Sequence, residues 1–172
     1  MKFVLASYGT RGDVEPSVAV GCELSRRRHE VRMVVPPDLL DFVETAGLSA
    51  VAAGPDFQLF VDSVHRTWTS RSGVVTKIGS WRKHSQLHAQ CWREMGAALT
   101  PLADGADLLL TGLHLEGAAA NVAEYQGIPL ATLHHSPLRA NGSVMPVRPS
   151  PLIRSAMVGK ELLLHWQLSK KA

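Results

Sequence analysis

Apolar residues in this chain come in short unbroken runs, each closed by glycine, proline or a polar turn. The stretches 2–7, 30–35, 48–53, 107–111 and 129–134 read as five strands. Unbroken runs, rather than strict alternation, mark parallel strands covered on both faces. Helical spacing fills the gaps between them. Pro16 to Arg28 places Val18, Cys22 and Leu24 on one stripe, with Pro16 in the first turn. Asp38 to Ala46 reads as a helix ended by Gly47, and Glu116 to Gln126 as a helix ended by Gly127. Strand and helix alternating at this spacing predict an α/β fold, a Rossmann-like doubly wound parallel sheet with right-handed crossovers. The interval from Asp56 to Gly105 is too long for one crossover and holds a long helix from about Ser80 to Leu99. It reads as a helical insertion after the third strand, where a pocket often acquires its walls. A proline-rich loop from Ser136 to Pro151 leads to a last helix, Ile153 to Leu168.

With 172 residues, 45% hydrophobic and 19% charged, the chain has material for one globular domain with a core. No apolar run approaches the roughly 20 residues that cross a bilayer, and the N-terminal run breaks too early for a signal peptide. Cys22 and Cys91 make neither a disulfide framework nor a CxxC pair. A cytoplasmic protein with reduced thiols is expected.

The net charge of +3 conceals an asymmetry. Residues 1–62 hold six Lys/Arg against nine Asp/Glu, and residues 63–172 hold twelve against six. From Ser63 to Arg93 there are six basic residues and no acidic one, together with Trp68, Trp81 and Trp92. Such a segment could make peripheral contact with an anionic membrane surface. A solvated basic face over core tryptophans is the commoner outcome. No nucleic-acid partner is expected.

Candidate chemistry gathers at Ser7-Tyr-Gly-Thr-Arg-Gly-Asp-Val-Glu-Pro16, between the first strand and a helix. Gly9 and Gly12 would permit positive φ and close backbone approach, and the helix start would present free N–H groups. Asp13 falls where the loop opens at the C-terminal edge of the sheet. The turn lacks the GxGxxG pattern, and the second strand ends Val34-Val35-Pro36 without a ribose-binding carboxylate, so a dinucleotide cofactor is not expected. His84, His88 and Cys91 lie at i, i+4 and i+7 of the long helix. One helix rarely closes a metal site and no fourth ligand is evident, so packing is the expected role and no metal is assigned.

The joint pattern resembles the N-terminal half of GT-B glycosyltransferases of the UDP-glycosyltransferase, sterol and antibiotic type. It is similar to the branch that includes mycobacterial surface-lipid glycosyltransferases. The resemblance rests on Gly9-Thr-Arg-Gly-Asp-Val-Glu-Pro16 and on Val20-Gly-Cys-Glu-Leu24 leading into Arg27-Arg-His-Glu-Val31. Val34-Val-Pro-Pro-Asp38, Val43-Glu-Thr-Ala-Gly-Leu48 and Gly127-Ile-Pro129 extend it. It implies that this domain binds an acceptor and that a second, C-terminal domain binds the nucleotide-sugar as co-substrate, with no further cofactor. It also implies Asp13 as the general base that takes the acceptor's hydroxyl proton. The alternative is that Asp13 only caps the helix, and both roles can coexist. Gly9, Thr10, Arg11 and Gly12 would shape and flank the acceptor cleft. His134 and His135 follow the fifth strand, point to opposite faces if that strand continues, and would place one imidazole in the pocket. A hydrophobic small molecule or lipid is the implied acceptor.

Two departures from the family stand out. Arg28 replaces the glycine that usually precedes the His-Glu-Val strand, where a left-handed residue with a Cβ costs about 1 kcal/mol. The chain also lacks the nucleotide-sugar domain with its His-Gly-Gly loop. It therefore reads as a single, incomplete acceptor-side domain over residues 1–172, inactive on its own. The alternative is a truncated, non-catalytic domain that binds a ligand or partner.

Overall fold

The computed structural model describes residues 1–62 and 74–135, together with Ser155 and Gly159; of residues 74–84 it describes the backbone alone. Five strands form one sheet: β1 (Lys2–Ala6), β2 (Glu30–Val35), β3 (Ser49–Ala52), β4 (Leu108–Gly112) and β5 (Leu130–Leu133). Their order is β3-β2-β1-β4-β5 and every pairing is parallel, with Ala6 opposite Val34 on one side and Thr111 on the other. The expected α/β architecture is the one observed, and the chain's direction of growth reverses between β1 and β4.

The helices are α1 (Arg11–Arg26), α2 (Leu40–Thr45), α3 (Val74–Ala103) and α4 (Glu116–Gln126), with 3-10 turns at Pro37–Leu39 and Leu113–Leu115 and a helical segment at 57–62. Successive β1 residues feed opposite faces. Phe3 and Leu5 join Val14 and Val18 of α1 and Val43 of α2, whereas Val4 and Ala6 join Met95 and Leu99 of α3 and Ala119 and Val122 of α4. Two-sided burial is why the strands read as unbroken apolar runs. None of the helices among the described residues is long and apolar enough to cross a membrane.

Two helices differ from the sequence reading by more than two residues at an end. α1 starts at Arg11, not at Pro16, so Pro16 lies inside the helix and cannot donate to the carbonyl four residues back. The cap formed by Thr10 and Asp13, described below, outweighs that loss. The earlier start also moves the buried stripe to Val14, Ser17, Val18 and Gly21. α3 is longer than expected and runs through Pro101 to Ala103. Of the insertion, residues 63–73 lie outside the described set. The described end of α3 supplies core residues Cys91, Met95, Leu99 and Ala103. The second compact unit of the chain, His134–Ala172, is described only at His134, His135, Ser155 and Gly159. The helix expected over 153–168 lies, those two residues apart, outside it.

The C-terminus of α1 settles the role of Arg28. Arg28 N–H donates to the Ser25 carbonyl (2.8 Å) and His29 N–H to the Leu24 carbonyl (3.1 Å), the Schellman pattern, with Arg28 at φ +64°. Gly47 and Gly127 serve the same purpose after α2 and α4. Arg28 is thus an exposed arginine in a glycine conformation. Arg28→Gly should raise stability by about 1 kcal/mol, read as a higher denaturation midpoint with an unchanged m-value.

Candidate active site

Ser7 N–H donates to the Val34 carbonyl (3.0 Å), extending β1 into the turn before the chain swings into α1. Thr10 is the N-cap, and Asp13, at the third helical position, reaches back to it. Asp13 Oδ2 accepts the Thr10 backbone N–H and the Thr10 hydroxyl, both at 2.8 Å. This arrangement is the carboxylate half of a capping box. The helix-cap alternative for Asp13 is therefore realised, with one of its two oxygens.

Gly9 makes the arrangement sterically feasible. Its φ is +151°, and a Cβ there would stand 2.5 Å from Asp13 Oδ2 and 2.6 Å from Asp13 Cγ. Gly12 differs from the sequence reading. It lies in the first turn of α1 without positive φ, and a Cβ there would meet only Thr10 Oγ1, at 3.6 Å.

The other Asp13 oxygen faces a residue the sequence did not single out. His114, in the turn after β4, places Nε2 3.9 Å from Asp13 Oδ1. β4 is locked to β1 at this edge by the buried Thr111 hydroxyl, which donates to the Ala6 carbonyl (3.2 Å). Leu115, 1% exposed, anchors the turn, while the His114 side chain remains 45% exposed. Asp13 and His114 thus straddle the switch point of the sheet, outside the carboxyl ends of β1 and β4, where open α/β sheets bind ligands. His114 lies four residues past Leu110, the last apolar residue of a strand that only the sheet order shows to neighbour β1.

Arg11 turns away from this pair. Its guanidinium lies 4.5 Å over the Phe42 ring of α2, and Nε is 3.2 Å from Glu15. His134 and His135 are exposed residues of the second unit, after β5. Within the first unit, the structure brings together Gly9, Thr10 and Asp13 of the sequence candidates and adds His114.

Neighbouring titratable groups are structural. The buried Tyr8 hydroxyl donates to the Pro55 carbonyl (2.6 Å), and burial foremost pushes its pKa well above the ordinary tyrosine value. Burial also raises the Cys91 thiol from 9.0 to about 11. His88 rings against Phe60 (5.8 Å) and Trp92 (6.5 Å), and the side chain of His84 lies outside the described residues. Among the described residues no three His, Cys, Asp or Glu side chains gather as metal ligands.

Residues 3–97 match the glycosyltransferase family 28 N-terminal domain. The chain belongs to that family. It is 50% identical over 172 residues to an uncharacterized glycosyltransferase of Mycobacterium leprae, covering 99% of this chain and 40% of that protein. The chain thus spans about two fifths of the length of the curated relatives it matches at this identity. Among solved structures, the calicheamicin glycosyltransferase CalG4 superimposes with a TM-score of 0.60 at 18% identity, covering 94% of this chain and 37% of its own. The Streptomyces glycosyltransferase SsfS6 complexed with thymidine diphosphate gives 0.56 at 22% identity, covering 93% and 43%. At such identities these likenesses establish the GT-B N-terminal fold.

Two outcomes follow from the local geometry of this glycosyltransferase domain. Gly9→Ala should displace the Asp13 carboxylate and lower stability by about 2 kcal/mol, combining left-handed strain with a lost cap. Gly12→Ala should instead raise it by about 0.5–1 kcal/mol, and chemical denaturation of the two variants separates the roles. Alkaline pH gives the second outcome. The folded state holds the Cys91 proton more tightly than the unfolded state, so this stabilisation is complete below pH 9 and is lost as pH rises towards about 11. Melting temperature should fall over that window, with a shallower slope in Cys91→Ala.

Proposed function

We propose that this domain binds the acceptor of a glycosyl transfer and provides the base that activates the acceptor hydroxyl. The supporting observation is the Asp13–His114 pair at the sheet's switch point, on a chain of glycosyltransferase family. An acceptor hydroxyl gives up its proton to this pair as its oxygen attacks the anomeric carbon. The carbon–oxygen bond to the diphosphate breaks, and the nucleoside diphosphate leaves. In this reading Asp13 Oδ1 takes the proton while Oδ2 serves the cap, and His114 accompanies it from the facing loop. The donor is a nucleoside-diphosphate hexose held by a C-terminal domain, a class supported by the thymidine diphosphate complex of SsfS6.

The acceptor in this reading is hydrophobic: a lipid, sterol or polyketide. Its support is the apolar surface of the segment after β3, where Leu59 is 46% and Val61 39% exposed. The basic stretch 63–93 would favour a membrane-peripheral, cytoplasmic enzyme taking its acceptor from the lipid surface. The capping role of Asp13 favours a second reading, a binding domain without turnover, and the substitution below separates them.

Asparagine keeps an oxygen for the Thr10 N–H but cannot accept the proton. In a fusion of this chain to the carboxy-terminal part of its Mycobacterium leprae relative, Asp13→Asn should lower kcat by about 10²–10⁴-fold and leave KM nearly unchanged. The 172-residue chain alone should bind acceptor without sugar transfer. Near-full turnover by the Asp13→Asn fusion would reduce Asp13 to a helix cap, and transfer by the isolated chain would place the donor site here.

A further inference from the structure

Three strand-end segments meet at the site, and one aromatic ring joins them. Phe57, in the segment after β3, lies 6.3 Å from the His114 imidazole, centroid to centroid, at an interplanar angle of 50°. Phe57 is itself held on several sides. Tyr8 meets it edge-on at 5.4 Å and 80°, Phe60 stacks at 6.0 Å and 17°, and its N–H points to Asp38 Oδ1 at 3.4 Å. The Tyr8 hydroxyl fixes the Pro55 carbonyl two residues earlier (2.6 Å), and Tyr8 immediately precedes Gly9. The contacts form a circuit: Tyr8 to Phe57, Phe57 to His114, His114 to Asp13, and Asp13 back to the turn at Thr10.

His114 is the loosest member of that circuit. It is nearly half exposed, and among the described residues its ring and polar partners are Phe57 and Asp13 alone. At 3.9 Å the Asp13 oxygen is beyond hydrogen-bond reach. An exposed imidazole without a hydrogen bond samples several rotamers, and contact with an immobile ring removes some of them. We propose that Phe57 is a positioning residue whose ring, anchored through Tyr8 and Pro55, holds the His114 imidazole toward the Asp13 carboxylate. The inference rests on the reading that this pair acts on the acceptor, yet its first test needs no turnover.

That test is side-chain relaxation of carbon-labelled histidine in the 172-residue chain. Phe57→Leu should lower the His114 order parameter and remove its nuclear Overhauser contacts to Asp13, and Phe57→Tyr should restore both. Unchanged His114 order in Phe57→Leu overturns the proposal. Should Phe57→Leu fail to fold, Tyr8→Phe keeps the ring but releases Pro55, and a smaller loss of order is expected; none would again overturn it. In the fusion with a donor domain, Phe57→Leu should lower kcat by about 3- to 10-fold at constant KM, the range of one aromatic contact. A rise in KM alone would make Phe57 an acceptor contact and overturn the positioning role. Lost His114 order with undiminished transfer would uphold it and refute the catalytic reading of the pair.

Discussion

The register between β1 and β4 is the constraint on which the site depends. β1 is the central strand of the sheet, buried on both faces, and its two neighbours come from opposite directions of chain growth. A parallel pair aligned Phe3 with Leu108 and Ala6 with Thr111 must send both following loops out of the same edge, side by side. The Thr111 hydroxyl on the Ala6 carbonyl fixes that alignment where the strands end. A slip of one residue would turn Thr111 to the other face of the sheet and carry His114 away from Asp13.

Within that frame the two Asp13 oxygens face different partners. Oδ2 is tied to Thr10, the usual duty of a carboxylate at the start of a helix. Oδ1 lies on the side of His114, whose Nε2 is 3.9 Å away. The geometry needs a residue without a side chain at Gly9, since the carboxylate occupies the volume a Cβ would take. The aspartate four residues later is therefore one physical reason for the glycine in this turn.

What the sequence made legible was local or periodic. Two-sided burial produces unbroken apolar runs, so the five strands could be placed, and Gly47 and Gly127 marked helix ends because the left-handed cap demands them. Arg28 was legible as an anomaly for the same reason, and its φ of +64° bears that out. The start of α1 was misread because two local signals conflict. Pro16 marks a first turn by its missing N–H, whereas Thr10 and Asp13 mark one by their mutual hydrogen bonds. Bonds made outweigh a single bond lost. His114 was illegible for a different reason. Its role depends on which strands are neighbours, a long-range fact that no window of residues around position 114 contains.

Exposure sets the final condition on what this surface can do. Asp13 retains 22% of its side-chain accessibility and His114 45%, so water competes for both on the open edge of the sheet. A base in contact with water gains little over water itself; its advantage comes when the reacting hydroxyl is held near it and solvent is excluded. The Phe57 ring, 6.3 Å from the His114 imidazole, is the apolar surface beside the pair. The Mycobacterium leprae relative is about two and a half times as long as this chain. Under the function proposed above, a facing donor domain would supply the opposite wall along with the sugar nucleotide, so that one closure would both deliver the electrophile and remove the competing water.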